Sequence, residues 1–293
     1  MFPKRVLSTC PFVVAVFTAL LFSASLSLAA QPSAEELAQA AAKKHELLTS
    51  RVGRITSDIE SGRLQGKDLA DAYRFRGVAY SQLNDDERAV QDFSSAIELE
   101  QVSVQYYEDR AIGYLRLREF AKANTDLDMA LGLDTKYPPA HREKGRLAAY
   151  QGEYARAARS FALAMENDQG MGAAYGAIWL QVAATRANLE GTSPLPQLAA
   201  ALPPTQWPAP VIQMLIGMIS PEEAIAAADN RDPDTFLEQK CEAYFYVGEY
   251  YMAQKDTERA RAAFEAAVAT GVTEFLEYDW ARRELELMQA GNK

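Results

Sequence analysis

The side chains that most often carry chemistry are scarce in this chain. Histidine occurs twice (His45 and His141) and cysteine twice (Cys10 and Cys241) among 293 residues. A zinc site of His and Cys would need nearly all four, spread from Cys10 to Cys241, so no metal site is expected. The sequence holds no His-Glu-x-x-His, Gly-x-Ser-x-Gly or Gly-x-x-x-x-Gly-Lys motif, which removes the common metallohydrolase, serine-nucleophile and phosphate-loop signatures. Gly170-Met171-Gly172 with Gly176 is mis-spaced for a dinucleotide loop and follows no strand pattern. The adjacent carboxylates Asp85 and Asp86 fall at a turn between helices, where solvated charges are ordinary. No catalytic residue and no cofactor are therefore expected, and the chain reads as a non-enzyme. With 40 acidic against 30 basic residues the net charge is −10, which repels phosphate backbones and argues against a nucleic-acid partner.

The elements that must position any binding surface are helices. Three windows starting at Ala70, Val104 and Pro138 follow one another at a 34-residue period. Position eight holds Gly77, Ala111 and Gly145, and position twenty holds Ala89, Ala123 and Ala157. Position twenty-four holds Phe93, Leu127 and Phe161, and position twenty-seven holds Ala96, Ala130 and Ala164. Small residues there let antiparallel helices approach, while the bulky residue fills the gap between hairpins. This pattern resembles the tetratricopeptide repeat (TPR), a helix–turn–helix unit of that length. A further copy starts at Cys241, with Gly248, Ala260, Phe264 and Ala267 in register. The expected fold is an all-α TPR superhelix, an α-solenoid with N- and C-terminal capping helices.

The chain accordingly divides into residues 31–69 (N-terminal capping helices), 70–171 (three TPR units), 172–240 (degenerate repeats with a Pro-rich linker) and 241–293 (final TPR unit and capping helix). Helix starts are written at Ser33-Ala34-Glu35-Glu36, Ser220-Pro221-Glu222-Glu223 and Asp232-Pro233. Six of thirteen prolines fall between Pro194 and Pro210, so an extended surface linker is expected there. Phe275, Tyr278, Ala281, Leu285 and Met288 form a stripe that would seal the last repeat, with Arg282, Arg283 and Glu286 in water.

In the TPR class the first helix of each hairpin lines the concave face. The resemblance therefore puts Arg74, Arg116, Arg142, Arg146 and Tyr150 on an inner wall, a candidate docking strip for carboxylates of a protein or peptide. Arg142 and Arg146 are one turn apart and could grip a peptide C-terminus. The fuller carboxylate clamp wants Asn at position nine, where this chain has Val78, Ile112 and Arg146. The alternative is a solvated face with intrahelical ion pairs.

From Trp207-Pro208 through Leu215–Ser220, Cys241–Gly248, Gly271–Phe275, Glu277-Tyr278 and Glu284-Leu285, the C-terminal part resembles bacterial envelope repeat proteins of the NlpI lipoprotein type. That resemblance implies a homodimeric periplasmic scaffold that gathers peptidoglycan hydrolases and presents one to a processing protease. The competing function class is a peptide-binding chaperone or assembly factor for outer-membrane or secreted proteins.

Residues 1–30 read as a secretory signal peptide: Lys4 and Arg5, the apolar run Phe12 to Phe22, then Ser27-Leu28-Ala29. Cleavage after Ala29 or Ala30 is expected, giving a periplasmic protein with no membrane span. An uncleaved N-terminal anchor is the alternative, since Phe12 to Ala30 barely reaches spanning length. Cys10 precedes the apolar run, which is the wrong side for a lipid-attachment site. Cys241 is then the mature chain's single cysteine and is expected to be a buried helix-face thiol.

Overall fold

The computed structural model describes residues 33–189, 191, 193–273 and 275–290. The expected signal peptide, residues 1–30 with Cys10, lies outside them, as does Glu274. An N-terminal helix, α1 (Ala34–Glu60), opens on the capping box: Glu36 N–H donates to Ser33 Oγ at 3.2 Å and Ser33 N–H to Glu36 Oε2 at 2.7 Å. Three hairpins follow: α2 (Gly66–Gln82) with α3 (Asp86–Leu99), α4 (Val104–Arg116) with α5 (Phe120–Leu133), and α6 (Pro138–Tyr150) with α7 (Tyr154–Asn167). Then come α8 (Met171–Arg186), the short helices α9 (Leu195–Ala201), α10 (Ala209–Leu215) and α11 (Pro221–Ala227), the hairpin α12 (Pro233–Ala253) with α13 (Thr257–Ala269), and α14 (Leu276–Ala290). Every regular element among the described residues is helical, and the architecture is an all-α TPR superhelix. No helix among those residues is long and apolar enough to cross a membrane.

The repeat register follows from one contact. A Cβ added at Gly77 would lie 2.7 Å from the Phe93 ring, at Gly145 2.7 Å from the Phe161 ring, and at Gly248 2.4 Å from the Phe264 ring. Glycine at position eight makes room for phenylalanine at position twenty-four. In the second unit the pair is Ala111 and Leu127, a larger residue facing a narrower one, and both are fully buried.

Each turn is built alike. Asn84, Arg118 and Gly152, at equivalent positions, have left-handed φ values of 60°, 59° and 78°, and Lys255 has 61°. The next amide reaches back to a carbonyl of the preceding helix: Asp85 to Tyr80 at 2.9 Å, Glu119 to Tyr114 at 2.8 Å, Glu153 to Ala148 at 2.9 Å, Asp256 to Tyr251 at 3.0 Å. This Schellman-type end satisfies carbonyls the helix would otherwise orphan. Charge then pins the two helices of a hairpin together, and the same arginine reaches a hydroxyl on the preceding element. Arg76 grips Asp92 with two bonds of 2.7 Å and donates to Thr56 on α1 at 3.1 Å. Arg110 grips Asp126 at 2.7 and 2.8 Å and donates to Ser94 on α3 at 3.1 Å.

Two expectations need correction. The segment 194–210 is not an extended surface linker: it forms α9 and the start of α10, and Leu195, Ala209, Val211 and Ile212 are fully buried. Pro194, Pro196, Pro208 and Pro210 stand at helix starts, where the missing N–H costs nothing, while Pro203 and Pro204 lie in the exposed turn between α9 and α10. The second concerns α14, which packs on α13 and α12 of the last repeat as expected but does more than seal it. It turns back along the inner wall and buries Glu277, Trp280, Ala281 and Glu284. Trp280 packs on Tyr150 of α6 at 5.0 Å and on Trp179 of α8 at 5.1 Å. Arg283 does not face water; its Nη2 donates to the Tyr150 carbonyl at 2.5 Å. The loop before α14 reaches the first hairpin, where Thr273 Oγ1 donates to Asn84 Oδ1 at 2.8 Å. The expected 31–69 block contains one long helix, and α2 begins at Gly66.

The glycine contact gives opposite signs for one chemical change. Gly53→Ala, in α1 with nothing near its Cβ position, should gain up to about 1 kcal/mol in urea unfolding. Gly248→Ala should lose about 1–3 kcal/mol, because the buried Phe264 ring must shift. Equal stabilisation of both would show that position eight is not a contact point.

Candidate functional site in the inner wall

The inner wall is laid down by α2, α4, α6 and α8, and α14 covers its C-terminal part. Five residues were expected to form a docking strip there. Arg74 Nε donates to Asp109 Oδ2 at 2.5 Å, one repeat on. Arg116 Nε bonds both Asp86 oxygens at 2.8 Å, and its Nη2 reaches Asn84 Oδ1 at 2.9 Å. Asp86 is therefore buried in an ion pair, not the solvated turn charge that its position suggested. Arg142 Nη1 donates to Asp168 Oδ2 at 2.5 Å. Arg146 Nη1 lies 3.0 Å from Glu143 Oε2, with the Arg146 side chain only 12% exposed. Arg146 therefore occupies a packing position. Tyr150 stacks between Phe120 and Trp280. All four arginines thus hold carboxylates of their own chain, and these residues fall into two groups.

The first group borders an open hollow of about 260 Å³ between α2 and α4, lined by Val78, Ser81, Phe93, Asp109, Ile112 and Arg116. Phe75 stands 54% exposed one residue from Arg74. Two apolar side chains flanked by an ion pair on each side suit an extended segment of mixed character.

The second group borders a deeper cavity of about 270 Å³ where α6 and α8 meet α12 and α14. Arg142 and Arg146 come together here, as their spacing implied, but with three carboxylates that the sequence reading did not place: Glu143, Glu242 and Glu277. Glu242 Oε2 accepts from Tyr175 OH at 2.8 Å and Trp207 Nε1 at 2.6 Å. Glu277 Oε1 accepts from Tyr246 OH at 2.8 Å. Burial, reinforced by the nearby Glu277 charge, pushes Glu242 up to about 8. Burial likewise raises Glu143, against the pull of Arg146 and Arg142, and raises Glu277. Glu108, on the wall beside them, is pushed by burial to about 7, while its bond from Tyr137 OH at 2.6 Å opposes the rise. One signal was available: Trp179 stands where the other repeats have a small residue, and it packs on Phe161 at 5.8 Å and Phe245 at 5.3 Å.

The histidines lie apart from both groups. His141 Nε2 lies 2.9 Å from the Thr135 carbonyl, and His45 is exposed on α1. Cys241 is fully buried.

No family model matches the chain. Similar solved structures include a tetratricopeptide repeat protein from Parabacteroides merdae (18% identity, 84% of this chain and 99% of that one, TM-score 0.49). PilF of Pseudomonas aeruginosa is similar at 16% identity over 75% of this chain and 100% of that one, with a TM-score of 0.43. The TPR domain of Arabidopsis OM64 is 25% identical over 38% of this chain and 93% of that one, with a TM-score of 0.35. These likenesses concern repeat architecture.

The buried carboxylates set a pH dependence. Glu242 has an ordinary value of 4.5 and a folded value of about 8, so folding favours its protonated form. Its favourable contribution is full below the unfolded value and is lost as pH rises through the folded one. Urea unfolding from about pH 5 to about pH 8.5 should show wild type losing on the order of 2–4 kcal/mol relative to Glu242→Gln. Parallel profiles would mean that Glu242 ionises as freely as in water.

Proposed function

We propose that this protein is a non-enzymatic periplasmic scaffold of the cell envelope, exported by its N-terminal signal, that binds partner proteins along the inner wall. The observation that supports this reading is the hollow at Val78 and Ile112. The chain covers the α6–α8 part of its groove with α14 and leaves a hollow along the α2–α4 stretch, with Phe75 exposed on α2. An extended partner segment would lie over Val78 and Ile112. Arg74 and Arg142, the more exposed members of the strip, would meet its carboxylates. Arg116, Arg146 and Tyr150 then act from behind by fixing the wall. The envelope-lipoprotein resemblance supports peptidoglycan hydrolases or a processing protease as the partners, and a homodimer as the working form.

Photocrosslinkers placed at Val78 and Ile112 in cells should capture a small set of folded envelope proteins, murein hydrolases among them. Ile112→Glu combined with Arg142→Ala should weaken that binding at least about tenfold, about 1.4 kcal/mol, with helical content retained. Binding should also fall as salt rises. Recovery of many unrelated unfolded clients would replace the scaffold with a chaperone. Unchanged affinity in the folded double variant would move the site off the inner wall.

A further inference from the structure

The two ends of the superhelix meet at a seam. On one side stand α1 and the first two hairpins, on the other α12 and the loop that leads into α14. Thr273 Oγ1 donates to Asn84 Oδ1 at 2.8 Å, and the same oxygen accepts from Arg116 Nη2 at 2.9 Å. Arg116 Nη1 reaches the Thr273 carbonyl at 3.4 Å. Arg118 Nη2 lies 3.4 Å from Glu286 Oε2, with both side chains about half exposed, and Lys44 Nζ lies 3.9 Å from Glu238 Oε1. Asn84 and Arg118 are the left-handed turn residues of the first and second hairpins, so turn tips make the contact.

Apolar packing adds little to these bonds. Ala41 and Leu48 of α1, Leu83 of the first turn, Leu237 of α12 and Val272 line a cavity of about 390 Å³ between the two sides. Among the described residues of α1 none is buried. Exposed ion pairs and single neutral hydrogen bonds are weak ties. They oppose a soft motion, because repeats touch mainly their neighbours and a small rotation at each sums to a large displacement of the ends. The inner wall farther along is held differently, by the buried Trp280 against Tyr150 and Trp179. On the near side α1 follows the first hairpin, since Arg76 Nη1 donates to Thr56 Oγ1 at 3.1 Å.

We infer that the contact between Asn84 and Thr273 is a latch: closed, it joins the ends of the superhelix, and released, it lets α1 and the first hairpin swing away from α12 and α14. The latch borders the hollow over Val78 and Ile112. Arg116 lines that hollow and bonds Thr273, and Gln82 lines both the hollow and the seam cavity. Closure sets Thr273 beside Arg116 at the rim of the hollow, and opening clears that rim. The motion belongs to the free protein and does not require the scaffold reading.

Double electron–electron resonance tests this with spin labels on cysteines placed at Gln91 on α3 and Glu265 on α13, both exposed, while the fully buried Cys241 stays unlabelled. A second pair, Arg159 on α7 with Glu265, spans the part held by Trp280 and reports whether that part stays folded. The wild-type Gln91–Glu265 distribution should show a closed peak and a minor longer component. Asn84→Gly keeps the left-handed turn, and Thr273→Val keeps the side chain's shape. In the double variant the longer component should grow at least about threefold, the effect of losing one neutral hydrogen bond. The Arg159–Glu265 distribution should stay as in the wild type. Identical Gln91–Glu265 distributions in the wild type and the double variant overturn the inference. So does equal broadening of both pairs, which would put the motion inside the C-terminal half. Because no partner is present, failure here leaves the crosslinking result standing.

Discussion

Trp280 is 1% exposed and lies within 5.1 Å, centroid to centroid, of both Tyr150 and Trp179, so one indole joins the last helix to the third hairpin and to α8. An open superhelix leaves its inner wall wet, and apolar residues there stay exposed until something covers them. Burying a side chain of this size removes about 150–250 Å² from water, an upper estimate of several kcal/mol. That gain holds α14 against the wall and closes the curve. It also decides which part of the groove is left for other molecules, because α6 and α8 are covered while α2 and α4 are not.

Charge is the second consequence of the closure. Arg186 on α8 grips Glu249 on α12 with bonds of 2.8 and 2.7 Å and lies 3.0 Å from Glu284 on α14. Burying such groups is costly, and an apolar replacement could be as stable. Their geometry, however, admits one arrangement of the three helices. The Arg76–Asp92 and Arg110–Asp126 grips play the same part within their hairpins. The fold therefore combines a non-directional adhesive, the aromatic cluster around Trp179, with directional pins that set the register.

The repeated hairpins were legible because their determinants are local and periodic. Gly77 with Phe93, and Gly145 with Phe161, meet across a single turn, so their spacing survives in the linear chain. The same holds for the caps at Ser33, Ser220 and Asp232, whose bonds span three residues. The ion pairs of the inner wall were not legible, since Arg74 finds Asp109 and Arg116 finds Asp86 only once the hairpins stack. The Arg76/Arg110 and Asp92/Asp126 columns do repeat at the TPR period and would have revealed one set. The prolines around Trp207 read as breakers because a proline at a helix start and one in a linker look alike without knowledge of burial. The direction of α14 depended on Trp280 finding Trp179, two residues far apart in sequence.

Amide hydrogen exchange followed by peptide tests the closure most directly. If α14 is held on the inner wall by Trp280, its amides should be protected to nearly the level of α6 and α8. Trp280→Ala should abolish that protection, at an unfolding cost of about 3–5 kcal/mol, while leaving the protection of α2 to α5 in place. An α14 that exchanges as fast as a fraying terminus in the wild-type protein, or one indifferent to loss of the indole, would contradict the account.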